Sequence, residues 1–413
     1  MVNKKLVDSI LDKVLVDIMP SSDSLVVVND FVNELNVLLE KKKVGAVAVL
    51  GGSTAKGTFL KDDFDADIFV KFDVSFKGKD ISGLLASVLK DNFVFDRVRG
   101  SRDYFHVRRG LVFELVPVID VSRIEDADNV IDMSPLHVDY FLRKGAGLED
   151  DVRLLKRFMK SARVYGAESF IKGFSGHVVD LLVIKYGSFM NVLRAVSKWE
   201  PVVIIDIDKK LKDPLLELDK AKVSGPLVVV DPVQKDRNAA TALSFDCFYD
   251  FVNRCKSFLE SPSEDFFVLR SARDVVSPKK GESLFEFVID PLSGSEDVSG
   301  SKVLKVLDFL FKELKNRDFL CSGFVWDFGF PCRAYFCVED IKLDPVKVVR
   351  GPPLSSEVHC SAFRAKHKVV FDDGNFLFAK VNRDFVCVSS LFDFLIEDSY
   401  VLERCVSISY KKI

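Results

Sequence analysis

The sequence predicts a multi-domain α+β protein: a small mixed sheet with flanking helices at the N-terminal end, a helical central domain, and an α/β C-terminal body and tail. Three observations carry this prediction. At 413 residues the chain exceeds a single compact core, and 48% apolar residues suffice to build several. Short apolar runs of strand length cluster before residue 135 and again beyond about 262. Between them the apolar residues recur at helical spacing.

Taken in order, an amphipathic helix runs to about Met19, and a second, opened by Ser24 or Asp30, closes near Lys43. GAVAVL, at 45–50, reads as a buried strand that enters a glycine-serine turn. The acidic strand DADIFVKF follows at 65–72, then a helix near Ile81 to Leu89. NFVFDRVRG, DYFHVRRG and LVFELVPVID read as three further strands with Arg-Gly turns between them. From Pro135 to about Ser261 the pattern is helical: a basic helix at 150–160, a long apolar helix from His177 to Trp199, and another from Ala242 to Leu259. Ser261-Pro-Ser-Glu-Asp marks a boundary by its loop composition. Beyond it FFVLR, LFEFVID, SGFVWDF and AYFCVED read as strands around a helix from Lys302 to Lys315. PLSGSEDVSGSK, at 291–302, reads as a surface loop, and Arg350-Gly-Pro-Pro as a break before a final αβ section. The expected domains are 1–135, 136–262 and 263–413.

Composition bounds the function. No run approaches the roughly 18 to 20 apolar residues of a membrane span, so no membrane partner is expected. A net charge of −3 argues against a protein basic throughout, and leaves room for local basic faces. One such face is the helix bearing Arg153, Lys156, Arg157 and Lys160, which reads as a solvated face or as a phosphate-binding one. The eight cysteines show no C-x-x-C pair, and none precedes Cys247, which reads as reduced thiols in a cytoplasmic protein.

The chemistry concentrates in VLGGSTAKGTFLKDDFDADIFVKF, residues 49–72. Side chains alternate along a strand, so Asp65, Asp67 and Phe69 share one face while Ala66, Ile68, Val70 and Phe72 share the core face. Two neighbouring carboxylates repel unless a cation neutralises them, and oxygen ligands favour Mg²⁺. Glu114, the acid inside the apolar run LVFELVPVID, supplies a third carboxylate; Asp120 fits less well, because the chain is leaving the sheet there. Upstream, Gly51-Gly52-Ser53 offers backbone N–H groups to a phosphate, with the Ser53 hydroxyl and the Lys56 charge beside them. A phosphate cradle followed by metal-binding carboxylates describes nucleotidyl transfer.

In this ordered set the N-terminal part resembles the polymerase-beta-like nucleotidyltransferase superfamily. The whole chain resembles the archaeal, class I family of CCA-adding enzymes, tRNA nucleotidyltransferases that build the 3′-terminal CCA of tRNA. SPLHVDYF at 134–141, the block at 151–189 that begins DVRLLKRFMK, VVDPVQKDRNAA at 229–240, and RGPP with the basic-aromatic segment to 371 carry that wider resemblance. It implies a catalytic head, a helical neck that recognises the base, and a body and tail that bind tRNA. It implies Asp65, Asp67 and Glu114 as catalytic Mg²⁺ ligands. Ser53, Lys56, His137, Lys156 and Tyr165 become contacts to the nucleotide, and Arg237 the reader of its base. CTP, ATP and the tRNA 3′ end are the implied partners, and since family members are commonly dimeric, a homodimer is among the assemblies it allows. The basic helix and the segment with Arg350, Arg364, Lys366, His367 and Lys368 beside Phe363 and Phe371 are the expected tRNA surfaces. The chain departs from the family pattern at Asp65, where Glu is usual, at Glu114 for Asp, at Lys56 for Arg, and at Ser134 for Thr. Two other functions share parts of this pattern: a poly(A) polymerase-like transferase, and an RNA-binding protein with a decayed site.

Overall fold

The computed structural model describes residues 4–61, 65–339 and 342–413, the side chains of Ser22 and Asp65 excepted. The chain divides into two compact units, one of residues 1–269 with 294–297, the other of 270–293 with 298–413.

In the first unit, helices α1 (Lys4–Ile18) and α2 (Ser22–Lys41) precede β1 (Ala46–Leu50), the short helix α3 (Gly52–Lys56) and β2 (Asp65–Phe72). Helix α4 (Ile81–Leu89) then leads into β3 (Phe95–Val98), β4 (Tyr104–Arg109) and β5 (Leu111–Ile119). The strands form one sheet in the order β1-β2-β5-β4-β3, with β2 and β5 parallel and the other pairs antiparallel. Its inner face, Ala66, Ile68, Val70, Phe72, Phe105, Phe113 and Leu115, buries against Phe31 and Leu35 of α2 and Leu85 and Leu89 of α4. Phe69, Val116 and Val118 on the opposite face form a smaller cluster with Val138. The alternation expected of DADIFVKF thus divides the strand between two buried layers, and Asp67 stands at the margin of the second.

A helical layer follows: α5 (Ser134–Lys144), α6 (Glu149–Ser161), α7 (Gly176–Tyr186), α8 (Phe189–Val196), α9 (Pro214–Glu217) and α10 (Phe245–Glu260). The apolar stripe of α1, Ile10, Val14 and Ile18, packs into this helical core rather than under the sheet. The single long helix expected over His177–Trp199 is two helices, because Gly187 turns left-handed at φ +78° and the Ser188 hydroxyl caps the next helix by accepting from Asn191 N–H. This region also holds a parallel pair, β6 (Val203–Ile205) and β7 (Leu227–Val229), that helical periodicity did not predict.

The second unit contains α11 (Ala272–Val275), β8 (Glu282–Pro291), α12 (Glu296–Asn316), β9 (Cys321–Asp327), β10 (Cys332–Glu339), β11 (Val346–Pro353), α13 (Glu357–Lys366), β12 (Val369–Asp372), β13 (Phe376–Asn382), α14 (Val388–Leu395), α15 (Ser399–Leu402) and β14 (Cys405–Lys412). A four-stranded sheet, β14-β8-β10-β9, shares a core with α12 and α14, and a three-stranded sheet runs β11-β13-β12. Three local expectations change beyond residue 262. FFVLR is no strand: Phe266 and Phe267 sit on a 3-10 turn with their rings against Phe158, so their apolarity serves the helical core. Residues 296–302 of the expected surface loop are the first turns of α12, with Glu296 and Asp297 at its positive end and the small Ser299 and Gly300 buried. Arg350-Gly-Pro-Pro ends strand β11 rather than breaking the chain, which two prolines permit because β11 is an edge strand. The eight cysteines are free thiols. Among the described residues no helix is long and apolar enough to cross a membrane.

Candidate active site

Parallel pairing sets Asp67 of β2 directly opposite Glu114 of β5, and antiparallel pairing sets His106 of β4 on the other side of Glu114. His106 Nε2 lies 3.1 Å from Glu114 Oε2, so the longer carboxylate at this position is held by its cross-strand neighbour. Asp65 pairs through its backbone with Val112; its side chain lies outside the described residues. Asp120, beyond the far end of β5, binds Lys71 at 2.6 Å and takes no part in this group. Gly52 adopts φ +47°, and a Cβ there would stand 1.7 Å from Asp67 Oδ2, so only glycine lets the turn lie this close to the carboxylate.

Two adjoining clefts open over this point. One, of about 580 Å³, is lined by Gly52, Lys56, Asp67, Glu114, Ser134, His137, His177, Gln234 and Arg237 among others. The other, of about 240 Å³, is lined by Ser53, Lys56, Asp67, Lys156, Tyr165, Gly176 and His177, with Gly52, Phe59 and Leu60. Apart from Asp65, every residue singled out from the sequence as catalytic or nucleotide-binding therefore borders one connected space. Larger cavities elsewhere in the unit contain none of them.

The cationic side of α6 is not solvated. Arg153, Lys156 and Arg157 are 9%, 6% and 7% exposed. Arg153 donates to the carbonyls of Phe59 and Gly57, and Lys156 to the carbonyl and hydroxyl of Thr58 at 3.1 and 3.2 Å. The helix thus pins the segment that follows α3, and of the two expected tRNA surfaces this one is buried. Lys56 Nζ binds Asp180 Oδ2 of α7 at 2.6 Å, with side chains 11% and 3% exposed. Tyr165 follows α6, its hydroxyl close against Gly176 and its ring under Lys160 Nζ at 4.7 Å.

At the other wall, His137 Nε2 meets the buried Asp231 at 2.9 Å, Arg237 Nη1 donates to the same oxygen at 2.8 Å, and His177 Nε2 stands 3.5 Å from it. Burial alone would raise the Asp231 carboxyl, but His137 and His177 hold it well below the usual carboxylate range. Burial pushes the His177 imidazole below its ordinary value, against the pull of Asp231.

The family model of the nucleotidyltransferase domain matches residues 32–172, and that of the second domain of tRNA nucleotidyltransferases matches residues 150–268. The CCA-adding enzyme of Nanoarchaeum equitans is 31% identical over 357 residues, 84% of this chain and 87% of that protein. The CCA-adding enzyme of Methanoregula boonei is 31% identical over 338 residues, 78% and 72% of the two chains. The chain belongs to the CCA-adding enzyme family. A third member, from Methanococcus maripaludis, is 30% identical over 424 residues and aligns with 95% of this chain and 92% of its own. Among solved structures, the Cid1 poly(U) polymerase with MgGTP gives a TM-score of 0.52 at 16% identity, over 65% of this chain and 99% of that one. A cytoplasmic RNA terminal U-transferase gives 0.51 at 16% identity, over 64% and 99%. These two establish a shared nucleotidyltransferase fold, which in the Cid1 structure holds a nucleotide with Mg²⁺. The oxygen donors Asp67 and Glu114, adjacent in register beside a glycine that leaves room for little else, fit such an ion.

Within this member of the CCA-adding family, the sequence reading passed over His177, Asp180, Asp231, Gln234 and His106. The signals were present: His177 and Asp180 recur at i, i+3 on an otherwise apolar helix, and Asp231 closes the apolar run LVVV. The Lys56–Asp180 pair carries a test. An ammonium has three donors, so one bond to Asp180 holds the charge in place and leaves others for a phosphate. Lys56→Met should destabilise the protein by about 3 kcal/mol, because Asp180 is left charged, buried and unpaired. It should also raise the KM for CTP. Combining Lys56→Met with Asp180→Asn should restore most of the stability, read by denaturant unfolding, while the KM stays high; recovery of both would make Lys56 a structural residue only.

Proposed function

We propose that this protein adds C, C and A stepwise to the 3′ end of tRNA from CTP and ATP, without a nucleic-acid template, releasing pyrophosphate. The observation that carries this reading is the pairing of Asp67 with Glu114 at the floor of a cleft whose walls present Lys56, Lys156, Tyr165, His137 and Arg237. The tRNA 3′-oxygen attacks the α-phosphorus, the bond to the β-phosphate oxygen breaks, and the hydroxyl proton leaves to solvent. Asp65, Asp67 and Glu114 would hold Mg²⁺, and an ion bound there would supply neutralisation of the negative charge that develops during the transfer. Ser53, Lys56 and Lys156 bind the triphosphate, with His137 and Tyr165 contacting the same nucleotide. Arg237 selects the base: cytosine N3 and adenine N1 accept hydrogen bonds, whereas uracil N3 and guanine N1 carry hydrogens that face its donors.

The domains assigned to these tasks are a catalytic head at 1–135, a base-recognising neck at 136–262, and a tRNA-binding body and tail at 263–413. In the last, Arg350 lies 3.6 Å over the Phe376 ring, Arg364, Lys366 and Lys368 are exposed, and the rings of Phe371 and Phe378 stack. Reversing Arg364, Lys366 and Lys368 to Glu should raise the KM for tRNA at least about tenfold and flatten its salt dependence, since each lost phosphate contact removes a released counterion. The KM for CTP should not change. A homodimer and a cytoplasmic setting belong to the same reading; the eight free thiols support the latter.

The deciding assay combines purified protein, Mg²⁺, labelled CTP or ATP, and tRNA ending at the discriminator base. Addition of two C and one A is expected. A long A tail would favour a poly(A) polymerase, and no incorporation would overturn the reading.

A further inference from the structure

Asp231 is 0% exposed, yet its surroundings are built from donors on three separate elements. Oδ1 accepts the backbone N–H groups of Val233 at 2.8 Å and Gln234 at 3.2 Å, from the loop it opens. Oδ2 accepts Arg237 Nη1 from the far end of that loop and His137 Nε2 from α5, and faces His177 Nε2 from α7. The two imidazoles lie 4.2 Å apart, centroid to centroid. His137, His177 and Asp231 have the residue types and spacing of a cation site, but the guanidinium already brings a positive charge to the shared oxygen. A buried carboxylate is costly unless its partners are held in place, and so it holds them.

We propose that Asp231 is a positioning residue for nucleotide selection: it fixes the Arg237 guanidinium through one nitrogen, with His137 and His177 packed on the same carboxylate, so that the rest of the fork meets the base in one orientation. This rests on the reading of the cleft as the CTP and ATP site. A long side chain free to rotate could turn away from the N–H of uracil or guanine and tolerate either base. An anchored one keeps its donors against theirs, so rejection depends on the anchor.

The test uses the full chain and compares kcat and KM for CTP, ATP, UTP and GTP on tRNA ending at the discriminator base. In Asp231→Asn, whichever way the amide turns, a donor replaces an acceptor that donors surround. The expected result is a fall in kcat/KM of about 10- to 100-fold for CTP and ATP, carried mainly by KM, as for a lost charge-assisted hydrogen bond. UTP and GTP should change much less, so that selectivity falls by a similar factor. An equal fall for all four nucleotides, or none, would overturn the proposal. Arg237→Gln separates it from the reading beneath it. If that variant keeps its preference for C and A, Arg237 does not read the base and both fail; if it loses the preference while Asp231→Asn keeps it, only the role of Asp231 fails. Should Asp231→Asn not fold, as judged by circular dichroism, His177→Asn takes its place. A loss of selectivity of about threefold or more then supports the clamp, and unchanged selectivity overturns it.

Discussion

Asp67→Asn should abolish nucleotide incorporation while tRNA binding persists. The substitution keeps the size and hydrogen-bonding outline of the side chain but removes its charge, so on the proposed reading it should remove the affinity of the β2–β5 pair for a divalent cation. Neutralising the transferring phosphate is worth several kcal/mol, and at about 1.4 kcal/mol per tenfold the rate should fall by on the order of 10³ or more. Asp67 lies on a strand flanked by β1 and β5, with Ala66 and Ile68 buried on its other face, so the sheet itself does not depend on the carboxylate. Filter binding of tRNA should therefore match the wild type, and so should the unfolding midpoint. Loss of binding together with activity would assign Asp67 a folding role instead.

The second large effect is expected from a residue with no functional group. Gly52→Ala introduces a methyl 1.7 Å from Asp67 Oδ2 at a backbone angle of φ +47°. The angle alone costs about 1–2 kcal/mol for a residue with a Cβ. The clash must move either the carboxylate or the glycine-serine turn, and on the proposed reading each displacement would separate the ion's ligands from the phosphate cradle. Incorporation should drop about 100-fold or more, the scale on which a misplacement near 1 Å acts in a catalytic site. Gly78 supplies the control, because it is also left-handed at φ +76° but has nothing within 4 Å of its missing Cβ. Gly78→Ala should show the stability loss without the loss of rate. Equal activity in the two variants would mean that the turn at Gly52 adapts and that its closeness to Asp67 is incidental.

How much of this was legible before folding follows from the range of each signal. The helix Ile81–Leu89 was readable to the residue, since the Asp80 cap and the apolar spacing are both local. Strand β2 was readable too, because the alternation of DADIFVKF is a period of two within eight residues. The errors came where apolarity served a distant partner: Phe266 and Phe267 looked like a strand and are packing for Phe158, more than 100 residues earlier. Small residues misled in the opposite sense, since Ser299 and Gly300 looked like loop and are buried in the first turns of α12.

By itself, then, the sequence determined the carboxylate face of β2, the glycine-serine turn before it, the order of the motif blocks, and with these the family. Those are properties of residue type and short spacing, which the chain carries before it folds. Only the tertiary structure decided what each charge is for. The bond between Lys56 and Asp180 spans 124 positions, that between Lys156 and Thr58 spans 98, and that between His137 and Asp231 spans 94. A basic stripe such as Arg153, Lys156 and Arg157 reads identically whether it faces water, a phosphate or the carbonyls of a distant loop. Burial separates those cases, and burial is a property of the whole chain.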